Sequence, residues 1–219
     1  METRRPVNSS VGSLLHLMKT LLCSLLILTS LLVPAAVYSQ DNNIRSFDFS
    51  NFTYPINPEL KVFGSHRQTF TLRNGKFASG NGAVGMAYYQ TTYGDVTGDG
   101  RDDAIVELGV DTDGGTASIA AVYIYRWQNN RPQFVWSFVS GDRADGGLRN
   151  VYADRGQLVV ELFGKGTRIG GKIYGTESGG ACCPSSVTRT RYSWQRGAFR
   201  RRGESEIFPN PGTSANRVN

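Results

Sequence analysis

Residues 121–138 read AVYIYRWQNNRPQFVWSF. Ala121, Tyr123, Tyr125 and Trp127 alternate with Val122, Ile124 and Arg126, and a period of two sends one set to one face of a β-strand. The polar break QNNRPQ turns the chain, and Phe134, Trp136 and Phe138 predict the matching face of the return strand. Further segments follow the same logic. FTLRNGKF (70–77) sets Asn-Gly between two short runs, the strongest short hairpin signal. QLVVELF (157–163) reads as a strand, and TRTRYSW (188–194) puts Thr190, Tyr192 and Trp194 opposite Arg189, Arg191 and Ser193. Glycine is abundant, with 26 in the chain, and no sustained 3.6-residue apolar period follows the first forty residues. The expectation is an all-β fold: antiparallel hairpins or a meander forming one compact domain.

Two parts of the sequence echo each other. DDAIVELG (102–109) followed by VYIYRWQNNRPQFVW parallels GQLVVELFG (156–164) followed by TRYSWQRGAF. Glu107 aligns with Glu161 and Trp127 with Trp194. An ancient duplication into two related β units and the monotony of β-hairpins both account for the match.

The first 39 residues are expected to be a signal peptide. Arg4, Arg5 and Lys19 precede the apolar run Leu21–Val33, and the small-residue zone PAAVYSQ places the cut after Ser39. The run is shorter than the roughly 20 residues of a membrane span, so no transmembrane anchor is expected after cleavage. Met18 starts a compact signal peptide of its own, which leaves Met1 and Met18 as alternative starts. Cys23 lies inside the apolar run rather than just after it, which argues against a lipid anchor. The address is secreted or periplasmic. A single β-rich domain is expected over 40–207, followed by a flexible tail, 208–219. The formal net charge of +6 includes three basic residues and one acidic residue of the leader, and so mild an excess does not imply a nucleic-acid partner.

The stretch YGDVTGDGRDDAIVELG (93–109) concentrates acidic residues before an apolar strand. Ca²⁺ takes six to eight oxygens, and alternate residues of a tight loop can aim them inward. Asp95, Thr97 and Asp99 fall at positions 1, 3 and 5, Gly100 permits the turn at 6, Arg101 offers its carbonyl at 7, and Asp103 stands at 9. Position 12 is Val106 rather than the bidentate Glu of an EF-hand, so the loop feeds a strand instead of a helix. Asp102 is expected to point away to solvent. The spacing D-x-[DN]-x-D-G-x-x-D before an apolar strand resembles the calcium loop of FG-GAP and VCBS-type β repeats, departing from it at Thr97. More broadly, the order GDVTGDGRDDAIV, DGGTAS, SGDRADGG, a Leu-Val-Val strand and CCPS is similar to a group of uncharacterised exported bacterial proteins, with LppP/LprE-type lipoproteins as relatives. The resemblance implies location and fold, and no activity.

Other chemistry has less to stand on. Cys182 and Cys183 are the only cysteines beyond the leader, and an oxidising compartment favours a disulfide between them. Adjacent Cα atoms lie about 3.8 Å apart, below the usual minimum of about 4.4 Å, so such a bridge is a strained ring. It reads as a rigid loop staple or as a redox switch. His66 has no sequence partner for catalysis or zinc. Glu107, Asp142, Asp145 and Glu161 are candidates for an acid/base pair only if the fold brings two together. Arg189, Arg191, Arg196 and Arg200–Arg202, interleaved with aromatics, read as the charged side of a terminal hairpin. The resulting expectation is an exported, non-catalytic, monomeric binding or envelope-associated module with one Ca²⁺-type loop and an unknown extracytoplasmic ligand. Its rivals are a secreted hydrolase using clustered carboxylates and a redox-sensitive protein acting through the vicinal cysteines.

Overall fold

The computed structural model describes residues 43–60, 68–79, 84–112, 119–143, 146–166, 169 and 184–211. Residues 1–39, expected from the sequence to be a signal peptide, lie outside them, as do His66, Asp145, Cys182, Cys183 and residues 212–219. The described residues belong to one compact unit, Asp41–Asn219. Two 3-10 turns, Ile44–Ser46 and Phe49–Asn51, lead into β1 (Thr53–Pro55), β2 (Thr69–Thr71), β3 (Lys76–Ala78), β4 (Val84–Gly94) and β5 (Asp103–Thr112). There follow β6 (Ile119–Gln128), β7 (Arg131–Val139), β8 (Leu148–Asp154), β9 (Gln157–Phe163), β10 (Ser186–Gln195) and β11 (Ala198–Pro209). They form three antiparallel sheets, in the orders β1-β2, β3-β4-β5-β6-β7 and β11-β10-β9-β8. The all-β expectation holds. No helix of the described residues is long and apolar enough to cross a membrane.

The five-stranded sheet is buried on both faces, which is why AIVELGV and AAVYIY read as nearly continuous apolar runs. On one face Ala104, Val106, Leu108, Ala121, Tyr123 and Tyr125 meet Phe49, Tyr54, Phe70 and Leu72 from the N-terminal turns and the small sheet. Tyr54 is fully buried, stacks on Phe70 at 5.4 Å and donates its hydroxyl to the Phe49 carbonyl at 2.5 Å. On the other face Ile105, Val122, Ile124 and Phe138 pack against Val151, Leu158, Val160 and Leu162 of the four-stranded sheet. Burying each such large side chain contributes about 1.5–3 kcal/mol.

The turn residues match the turn geometry. Asn74-Gly75, Asn129-Asn130, Arg155-Gly156 and Arg196-Gly197 all take positive φ, as two-residue hairpin connections require. The Asn-Gly turn forms as read, but its arms do not make a hairpin: beyond the single Arg73–Lys76 bridge, β2 pairs with β1 and β3 with β4. The expected face of the return strand also needs correction. Tyr125 pairs with Phe134 but Ile124 pairs with Trp136, so a bulge intervenes. It leaves Phe134 against Tyr123 and Tyr125 while Trp136 and Phe138 turn to the opposite core. Phe208 and Pro209, expected from the sequence to belong to the tail, lie in β11. Phe208 pairs with Val187 in β11 beneath the Arg189 guanidinium, 4.7 Å from its ring, and Asn210 donates its N–H to the Ser185 carbonyl.

β4–β7 and β8–β11 are two meanders of the same order, so the sequence echo has a structural counterpart. They do not stack symmetrically. Leu158, Val160 and Leu162 align with Ala104, Val106 and Leu108, yet the first set faces the core between the sheets and the second set the core beneath the N-terminal segment. The meanders therefore pack front to back.

Candidate functional site

Loop 95–102 joins β4 to β5, the middle strands of the larger sheet. It abuts the Arg155-Gly156 turn that makes the corresponding connection between β8 and β9, with a Cβ on Gly98 falling 4.0 Å from the Gly156 carbonyl. The loop is folded by its own carboxylates. Asp95 Oδ1 accepts the N–H of Gly98 at 2.5 Å and of Asp99 at 3.2 Å, and its Oδ2 accepts that of Gly100 at 2.9 Å. Asp99 Oδ1 accepts the Arg101 N–H at 3.0 Å. Gly98 and Gly100 stand at φ 75° and 80°, where a side chain is strained. Val96 is fully buried in the core between the sheets and anchors the loop's root.

Asp103 is the exceptional member. It is fully buried at the start of β5, and its Oδ2 accepts the N–H groups of Val96 and Thr97, both at 2.9 Å. Its Oδ1 is buried without a hydrogen-bond partner, and so is the Thr97 hydroxyl. Burial pushes the Asp103 carboxyl up to about 6. The two backbone N–H groups and the nearby Thr97 hydroxyl, which makes no well-formed bond to it, oppose that rise, and Asp99 adds to it. Leaving a buried oxygen without a partner is costly, so a water, a cation or a closer Thr97–Asp103 contact would each be favourable there.

Asp102 points away from the loop interior, but to Arg45 rather than to open solvent: Arg45 Nε donates to its Oδ2 at 2.5 Å and the guanidinium lies 5.0 Å from the Tyr93 ring centroid. Among the described residues no three His, Cys, Asp or Glu side chains converge as a metal set. Asp95 Oδ1 already accepts two backbone N–H groups, but Asp95 Oδ2 and Asp99 Oδ1 accept one each and keep a second lone pair for a cation. Orphaned oxygens on Thr97 and Asp103, at positions 3 and 9, fit a hard cation that takes oxygen ligands.

Among the described residues the candidate carboxylates Glu107, Asp142 and Glu161 sit in separate surroundings. Glu107 lies on the β5 face that carries Ile105 and accepts from Gln90 Nε2 at 2.7 Å. Glu161 lies on the far face of β9, held by Arg149 and Arg189. Asp142 pairs with its neighbour Arg143 at 3.3 Å. The cationic face of β10 is also not simply solvated, since Arg189 reaches Glu161 and Glu206 while Arg191 reaches Asp154 at 2.7 Å. Arg200, Arg201 and Arg202 on edge strand β11 are exposed, as a charge-protected edge requires. Sequence reasoning missed Arg45 and the exposed Tyr89, whose only signal is the doubled tyrosine in AYYQ. No known family, curated protein or solved structure matches the chain.

Proposed function

We propose that the chain is an exported, β-rich binding or envelope-associated module whose loop 95–103 holds one Ca²⁺. The observation that carries the calcium reading is the pair of buried, partnerless oxygens on Asp103 and Thr97. Asp95, Thr97, Asp99 and Asp103 supply side-chain oxygens and Arg101 its carbonyl, and the cation's role is to fasten the loop to β5. A buried carboxylate with one unpaired oxygen weakens the fold at neutral pH, and a divalent ion reverses the sign of that interaction. The export reading is supported by the basic and apolar pattern that ends at Ser39.

With a hydroxyl in place of one charged ligand, affinity belongs to the class of extracellular modules, about 10⁻⁴–10⁻³ M. Millimolar Ca²⁺ then adds on the order of 1 kcal/mol by mass action. For a chain of this size that raises the melting temperature by about 2–4 °C over chelator. Asp99→Ala, at an exposed position, should abolish the rise, and Asp102→Asn should keep it. A wild-type melting temperature that is the same in chelator and in millimolar Ca²⁺ would overturn the calcium reading.

A further inference from the structure

β4 carries one residue more than β5 opposite it. Tyr88 pairs with Leu108 and Gln90 with Glu107, which leaves Tyr89 as the bulged residue. Its ring is 66% exposed, yet it is not loose on the surface. A Cβ built on Gly109 would lie 2.5 Å from Tyr89 Cζ and Oη, so the ring occupies the space a side chain at position 109 would fill. Gly109 and Glu107 are two residues apart on β5 and share a face. Beside the ring stands the pair formed by exposed Gln90 and Glu107, whose Oε1 accepts the Gln90 amide at 2.7 Å. Glu107 is 8% exposed, and its Oε2 takes no hydrogen bond from the described residues. An exposed aromatic plane is thus fixed next to an acceptor oxygen and an amide that has both donor and acceptor capacity to spare.

We propose that Tyr89, Gly109, Gln90 and Glu107 form a subsite for a neutral pyranose unit of a glycan. The C–H face of a pyranose stacks on an aromatic plane, and its hydroxyls donate to a carboxylate and exchange hydrogen bonds with an amide. The carboxylate selects against acidic sugars, because a second anion beside the Glu107 carboxylate is repelled. Gly109 keeps the ring flat against the strand, and the bulge supplies the residue that carries it. The proposal deepens the binding-module reading and is independent of the calcium loop, since Gly109 is six residues along β5 from Asp103, about 20 Å at the rise of a strand.

The test is a titration of the mature chain with neutral hexasaccharides of the chitin, cellulose and β-1,3-glucan series, with hexagalacturonate as the acidic counterpart. The readouts are the Gly109 amide and Tyr89 ring resonances, in Ca²⁺ and again in chelator. At least one neutral hexasaccharide should shift both resonances saturably at millimolar concentration, and in chelator as well as in Ca²⁺. Tyr89→Ala should weaken binding about five- to tenfold, and Tyr89→Trp should preserve it. Gly109→Ala should weaken it as much with little loss of stability, because the displaced atoms are the free end of an exposed ring. The proposal is overturned if no neutral hexasaccharide moves these resonances, if Tyr89→Ala binds as well as the wild type, or if hexagalacturonate binds best.

Discussion

Removing the Glu161 carboxylate should cost about 2–3 kcal/mol of stability. Glu161 is 2% exposed and stands at the centre of a network across the four-stranded sheet. Arg149 Nη1 donates to its Oε2, and Arg189 Nε and Nη2 both reach its Oε1, at 2.8 and 2.7 Å. Arg189 continues to Glu206 at 3.2 Å, so β8, β9, β10 and β11 are joined by one chain of charges. Breaking a fully buried ion pair costs about 3–5 kcal/mol, because the remaining charge has no partner. Here both arginine side chains keep 28% of their exposure, so the stranded guanidiniums recover part of their hydration and the cost falls below that range. Glu161→Gln keeps an acceptor and loses only the charge, and should cost about half as much. Urea unfolding at neutral pH measures both changes as midpoint shifts at constant slope. A Glu161→Ala/Arg189→Ala cycle should return a coupling of about 1–2 kcal/mol. If Glu161→Ala costs less than about 0.5 kcal/mol, the network is a surface arrangement and the reasoning fails.

Two further expectations concern the frame around the site. Asp48 caps the second 3-10 turn through Ser50 Oγ at 2.6 Å, the Ser50 N–H at 2.9 Å and Asn51 Nδ2 at 2.8 Å, and the Ser50 hydroxyl first, then the Asn51 amide, hold its carboxyl below the usual value. A depressed folded value gives stability that is present above the unfolded pKa and lost as pH falls through the folded one. Asp48→Asn should therefore flatten the loss of urea midpoint below about pH 4, and an unchanged slope would refute the assignment. At Gly94 a Cβ would lie 2.5 Å from Ala153 Cβ, a rigid neighbour on the other meander. Gly94→Ala should cost about 1–3 kcal/mol in thermal or urea melts, and Ala153→Gly in the same chain should restore most of it. A double variant no better than the single one would show that the clash is not the cause.

What the sequence disclosed and what it hid divide along local and non-local lines. β5, β6, β9 and β10 were legible because seven to ten residues of alternation or continuous apolarity carry a period. β1 and β2 hold three residues each, too few for any period, although Tyr54 and Phe70 at their centres anchor the first core. Asn74 and Gly75 disclosed their turn because φ is a local property. Which sheet each arm joined was decided by burial far along the chain. The bulge in β7 moved Trp136 and Phe138 to the opposite core without any compositional mark. Within the loop, the acidic spacing was legible, but the partner of Asp102 was Arg45, 57 residues away. The complete burial of Asp103 was equally hidden, because it depends on Val96 entering a core that is built mostly from later strands.

The glutamates at equivalent positions show how stacking, rather than sequence, assigns their work. Glu107 and Glu161 follow the same Val-Glu-Leu pattern on the second strand of each meander. Because the meanders pack front to back, the β5 face of Glu107 looks towards the second sheet, and the β9 face of Glu161 looks away from both cores. The first meander's outer face is closed by the aromatic N-terminal segment. The second meander's outer face has no such apolar partner among the described residues, and Val159, though buried, belongs to neither core. There the Arg149–Glu161–Arg189 network and the Phe208 ring beneath it cover the strand backbone instead. Both Glu161 oxygens are thereby satisfied, which leaves Glu107, with one amide partner, as the glutamate with an acceptor oxygen to spare.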